Sequence, residues 1–314
     1  MSTNRIADEV TEPVPADQPL AAPSREDSIR LRKQAQQRSR VGSITYHVVM
    51  LVLVAIVLYP VLWMVMSSLR PSSEIVGNVS LLPRQGTIRN YITIMDGIGG
   101  VSTWTFFANS MFLAVFSVVG VVVSSALTAY AFARLRFKGR DLWFGVMIGT
   151  MLLPFHVVII PQYILFNNLG MINTFWPLLL GKFLAAEAFF VFLVVQFMRG
   201  IPRDLDEAAA IDGAGHFRVF ATVILPLSRP ALLTAGIFTF INAWNDFLGP
   251  LLYLKQPDLY TLPVAMRLFV DQTTSSDYGA QIAMAVFALI PVLIFFFIFQ
   301  RYLVEGVSTS GLKG

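Results

Sequence analysis

An all-α membrane protein of six transmembrane helices is the fold class that this sequence predicts, and three observations predict it. Of 314 residues, 55% are apolar and 13% charged, with 26 Phe, and the mean hydropathy is +0.66; a soluble domain of this size rarely has such values. Six continuous apolar stretches each approach the roughly 20 residues that a helix needs to cross about 30 Å of hydrocarbon. None shows the alternation of a transmembrane β-barrel, the other structure that satisfies every backbone polar group in lipid.

In chain order, residues 1–40 are rich in Pro, Ala, Asp, Glu and then Arg, with almost no large apolar side chains. Such a segment cannot bury a core and predicts a disordered cytoplasmic tail, followed by one transmembrane domain over 41–314. The spans are predicted at 48–66, 106–131, 142–161, 175–197, 231–254 and 280–299. The first starts too far into the chain for a secretory signal peptide and is long enough to cross, so it is expected to act as an uncleaved signal-anchor. In the third, Gly145 and Gly149 form a small-x-x-x-small pair, expected to serve close helix packing. Lys and Arg number seventeen in the tails and in the loops after the second and fourth spans, against five in the other loops. That asymmetry places both termini and the loop at about 199–229 in the cytoplasm. It also accounts for the net charge of +4, so no nucleic-acid partner is inferred.

The loop at 199–229 is a polar island in an apolar chain. Pro202 suits the first position of a helix, and Asp204, Asp206 and Glu207 put negative charge at its positive dipole end. Gly213 is placed to end that helix in the left-handed conformation. A second short helix is expected over 214–225, with Phe217, Phe220 and Val223 or Ile224 on one face and Pro226 closing it. The result is a helix-turn-helix standing off the membrane, with small alanines that let another protein's surface approach.

Polar groups are expensive at membrane depth. Lys182 and Glu187 in the fourth span, with Asn242, Asn245 and Asp246 in the fifth, either line a passage or tie helices together. Asn242 and Asn245 are three residues apart and are expected to share a face as the hydrogen-bonding pair, with Asp246 as structural partner. Trp244 is expected to pack, although an aromatic face also stacks on a sugar ring.

Other chemistry is thin. There is no cysteine, hence no disulfide or thiolate metal site, and His47, His156 and His216 stand singly. No phosphate-binding loop is present; Gly181-Lys182 is followed by Phe183 and lies within a span. If the protein couples to ATP, the nucleotide must be bound by another chain. A membrane enzyme using Lys182, Glu187 or His156 would need an acid–base pair facing one aqueous pocket, and an anchoring protein would need no energy source at all.

Arg203 to Pro226 resembles the EAA signature of the permease subunits of ATP-binding-cassette (ABC) importers, through Glu207, Ala208, Ala209, Asp212, Gly213, Val223, Leu225 and Pro226. The likeness narrows to carbohydrate importers of the maltose type through the stretches 131–139, 153–163, 169–174, 240–247 and 311–314. It implies a smaller six-span permease in a heterodimer with a second permease subunit. An ATPase dimer that binds ATP and Mg would dock on the EAA loop from the cytoplasm, and an extracytoplasmic solute-binding protein would deliver a sugar, expected to be an oligosaccharide. The loop at 255–279 is expected to reach that binding protein or simply to connect. A bacterial or archaeal inner membrane is the implied setting, and a peptide permease would share the EAA loop.

Overall fold

In the computed structural model the described residues are 25–77, 79–270 and 276–311, with side chains placed from residue 43 to 301 of these. All regular structure among them is helical, apart from one isolated bridge between Ile98 and Val101. The protein is an all-α membrane protein. Four helices are long and apolar enough to cross a bilayer, and six spans are reached only when two sharply bent helix pairs are each counted as one.

The chain divides after Pro60 into two units. Helix α1 (Arg25–Ser67) accounts for the first, and its stretch Ser43–Ser67 is apolar on all sides. Helix starts at Arg25, inside the tail expected to be disordered over 1–40, because Glu, Arg, Lys, Gln and Ala are strong helix formers even without an apolar face. Residues 1–24 lie outside the described residues.

The second unit is organised around α3 (Thr103–Arg134), which follows the short α2 (Arg89–Asp96). One face of α3 is almost entirely small, with Ser110, Ala114, Ser117, Ser124, Ser125 and Ala129 buried. In lipid, where apolar burial gives no drive, such a face lets helices approach closely enough for dispersion and hydrogen bonds to hold them. Gly120 shows how close: a Cβ there would come within 2.9 Å of the Phe183 ring, and Ser124 Oγ donates to the Lys182 carbonyl at 2.7 Å.

Helices α4 (Arg140–Thr150) and α5 (Phe155–Asn168) replace the straight third span expected over 142–161. They meet at 101°, because Pro154 disfavours helical geometry at Leu153 and leaves no N–H to continue the ladder. Gly145 and Gly149 on α4 meet nothing within 4 Å, so the expected close packing there is absent from this chain. The fourth span is α6 (Trp176–Phe183) and α7 (Ala188–Arg199), interrupted where Ala185 has φ 56.

After α8 (Asp204–Ile211) and α9 (His216–Leu227), α10 (Arg229–Asn245) packs along α3. The expected fifth span ends early: α10 stops at Asn245 and α11 (Leu248–Tyr253) starts afresh, its Gly249 N–H donating to Asp246 Oδ1 at 3.1 Å. The last helix is α12 (Tyr278–Gly311), against which Phe240 stacks through Phe295 at 4.1 Å. Residues 271–275 of the loop before it, with most of its Thr-Thr-Ser-Ser run, and residues 312–314 lie outside the described residues.

Candidate functional site

The polar island folds into two short helices around a glycine. Helix α8 starts at Asp204 with Arg203 as its N-cap, so Pro202 stands just ahead of it rather than at its first position. Gly213 has φ 78 and ends α8 in a Schellman arrangement, with Ala214 N bonded to Ala209 O at 3.0 Å and Gly213 N to Ala210 O at 3.0 Å.

Helix α9 departs from the expected pattern. It contains a π-turn at Phe220–Ile224 and runs through Pro226 to Leu227. One extra residue per turn shifts the buried face to Val219, Phe220 and Ile224, while Phe217 is 78% exposed. Val223 and Leu225 pack at the edge of that buried cluster. The break comes at Ser228, beyond Pro226, where α9 and α10 meet at 72°.

Of the residues expected at the coupling surface, Glu207, Ala208, Asp212 and Gly213 are exposed, whereas Ala209 turns toward the cluster. Ile211, 87% exposed, joins that surface. The opposite side is tied to the last turn of α3: Arg134 Nη1 lies 3.3 Å from Asp206 Oδ2, and Arg134 Nη2 donates to Ile201 O at 2.8 Å. Arg203 Nη2 donates to Ala133 O at 3.4 Å, and Tyr130 OH to His216 O at 2.9 Å. Sequence reasoning misses both Arg134 and Tyr130. Arg134 stands there as an inside charge and within the resembling stretch 131–139, and nothing local points to a carboxylate in the loop after the fourth span.

The second site is a cavity of about 410 Å3 between α3, α5, α6, α10 and α11, lined by Ser117, Lys182, Glu187, Asn242 and Asp246 among others. Lys182 and Glu187 form an ion pair across the α6–α7 break. Asn242 and Asp246, four residues apart, are about 40° from each other around a helix, whereas Asn242 and Asn245 differ by about 60°. Asn245 is not among the residues that line the cavity, and its amide donates instead to Ile241 O at 2.8 Å. The expected pairing of Asn242 with Asn245 is therefore replaced by Asn242 with Asp246. Trp244 is 2% exposed and donates from Nε1 to Ala288 O at 3.1 Å, a packing residue outside the cavity. A larger cavity of about 670 Å3, lined by Phe112, Phe116, Trp176 and Phe183, is apolar and contains none of these polar groups.

Residues 120–309 match the family described as binding-protein-dependent transport system inner membrane component. The chain is 33% identical over 262 residues to the arabinooligosaccharides transport system permease protein AraQ of Halalkalibacterium halodurans, covering 82% of this chain and 92% of that one. It is 32% identical to the diacetylchitobiose uptake system permease protein NgcG of Streptomyces coelicolor, covering 90% and 93%. A chain in the crystal structure of a bacterial ABC transporter that imports the acidic polysaccharide alginate superposes with a TM-score of 0.73 at 24% identity, covering 84% of this chain and 97% of that one, a likeness of fold. The family match spans more than half of the chain, and together with these relatives it places the protein among the binding-protein-dependent transport system inner membrane components, as a permease subunit of an ABC importer.

Proposed function

We propose that this permease forms half of a heterodimeric path through which an oligosaccharide passes by alternating access, driven by ATP and Mg bound on a separate ATPase dimer that docks on α8 and α9. The reading is supported above all by one observation: Glu207, Ala208, Ile211, Asp212 and Phe217 are all exposed on a helix-turn-helix whose other side is bonded to α3. The sugar class is supported by the named substrates of the arabinooligosaccharide and diacetylchitobiose relatives. The polar cavity offers donors and acceptors suited to hydroxyls. A solute-binding protein on the outer side hands over the sugar, and both termini are cytoplasmic.

Gly213 has open space around it, so a β-branched residue there is strained by its backbone alone, by about 1–3 kcal/mol. Gly213→Val and Glu207→Lys are each expected to remove uptake and ATPase association while membrane insertion stays intact. Normal uptake in both variants overturns the docking assignment. For orientation, reporter fusions after residues 90, 168 and 265 are expected outside, and those after 40, 138, 212 and 310 inside. A cytoplasmic signal at 265 removes the six-span arrangement. Screening oligosaccharides and peptides against the cognate binding protein separates a sugar importer from a peptide importer.

A further inference from the structure

Helices α8 and α9 are held to the protein by different means. Helix α9 buries Val219, Phe220 and Ile224 in the cluster formed by the ends of α3, α7 and α10. Helix α8 buries no residue at all, although it carries Glu207 and Ala208. Apart from Ala209 and the flanking Ile201 and Ala214 at the edge of that cluster, it is held by polar bonds to one turn of α3, and most of these converge on Arg134. That side chain is 4% exposed. It pairs with Asp206 on α8 and also holds the Ile201 carbonyl in the segment leading into α8. Tyr130, one turn earlier on the same face of α3, holds His216 at the start of α9.

We infer that Arg134 is the positioning residue that welds α8 to α3, so that a push delivered to the exposed face of α8 moves the helix around which the second unit is organised instead of swinging a loosely held loop. This rests on the docking reading above and names the group that carries the force onward. The chemistry suits the task. A guanidinium donates in two directions at once, to a carboxylate and to a carbonyl, in a fixed plane, and a lysine in its place cannot make both bonds with that geometry. Contacts from α3 to α6, α7 and α10 then pass its displacement to the helices that line the polar cavity.

The test uses the whole complex of both permeases, the ATPase and the binding protein in proteoliposomes. Arg134→Gln leaves the exposed face of α8 unchanged, so ATPase association and ATP hydrolysis are expected to persist while uptake per ATP falls about tenfold, within the range of single-contact coupling changes. The chain has no native cysteine, so Arg134→Cys with Asp206→Cys can be joined by a short bifunctional thiol reagent. Cross-linking is expected to restore most of the uptake per ATP that the uncross-linked double variant loses, a rescue that a merely structural role would not produce. Spin labels at Asp212 and Leu127, both exposed, should keep one distance in nucleotide-free and ATP-trapped complexes of the parent protein and show a broadened distance in Arg134→Gln. Unchanged uptake per ATP in Arg134→Gln, no rescue on cross-linking, or a parent distance that changes with nucleotide overturns the inference. Failure of the parent complex to retain its ATPase overturns instead the docking reading on which it rests.

Discussion

Arg70 and Arg134 are both buried, at 0% and 4% exposure, yet they are partnered in opposite ways. Arg134 meets a carboxylate on a separate segment. Arg70 donates from Nη2 to the Ser80 carbonyl, while its Nε and Nη1 have no partner, and among the described residues no carboxylate pairs with it. The backbone around it is fixed by a neutral amide: Asn90 Nδ2 donates to both Ser68 O and Arg70 O at 2.7 Å. A buried charge paired with a carboxylate on a separate segment welds the two segments together. One enclosed by backbone carbonyls is part of a fixed frame, and the desolvation it suffers goes largely uncompensated.

The sharpest way to break this comparison is to replace each arginine with a residue of similar volume and no charge. Arg134→Met leaves Asp206 without its counter-charge and is expected to cost about 3 kcal/mol as well as coupling. Arg70→Met removes a buried charge with no carboxylate at ion-pair distance among the described residues and is expected to leave thermal stability in detergent unchanged or raised, with uptake preserved. Equal losses in the two variants would show that Arg70 also welds separate segments together.

The frame around Arg70 can be probed through Gly279. A Cβ there would lie 2.6 Å from Asn90 Oδ1, so Gly279→Val must push Asn90 off the two carbonyls that it ties together. Overpacking of this kind typically costs about 1–3 kcal/mol, read as a lower midpoint of thermal unfolding. Asn90→Ala in the same background should recover part of the loss. Additive effects of the two changes would mean that they do not share this contact.

How much of this was legible in the sequence differs between the same regions. The helical class, the breaking proline at 154 and the helix-ending Gly213 are local chemistry, and local chemistry is readable. The 101° bend follows from Pro154, but its size depends on what α4 and α5 rest against. The π-turn that exposes Phe217 is invisible to a 3.6-residue count. Arg134 and Asp206 become partners only through the fold. At the cavity the helical angles alone favour Asp246 over Asn245 as the companion of Asn242; the adjacency of Asn245 and Asp246 draws attention to the wrong one.

That correction yields the next prediction, a smaller effect than those at the buried frame. With Asn245 off the cavity lining and bonded to its own helix, Asn245→Ala should leave uptake within about twofold of the parent. Asn242→Ala and Asp246→Asn alter groups that line the cavity and should each lower uptake more than Asn245→Ala does. Cysteines at 242 and 246 should react with a polar thiol reagent in at least one nucleotide state. If 245 reacts and both of these stay protected throughout, the cavity is not part of the passage.

The smallest effect belongs to Glu74, in the loop beside Arg70. Its carboxylate accepts the backbone N–H of Arg84 at 2.8 Å and of Gln85 at 3.3 Å. The Arg84 bond, the largest influence, holds it below its ordinary value of 4.5; desolvation, next in size, pushes the other way, and the Gln85 bond and the charges of Arg70 and Arg84 add to the lowering. A carboxyl whose folded value is depressed contributes stability that is present above the unfolded value and is lost as pH falls through the folded one. The tie between residues 74 and 84–85 should therefore hold at pH 6 and loosen below about pH 4.5, the ordinary carboxyl range. Amide hydrogen exchange at Arg84 and Gln85, corrected for intrinsic rates, should lose protection over that interval. Glu74→Gln should show reduced protection at both pH values and no step between them. An identical step in the Gln variant would place the titrating group elsewhere in the loop.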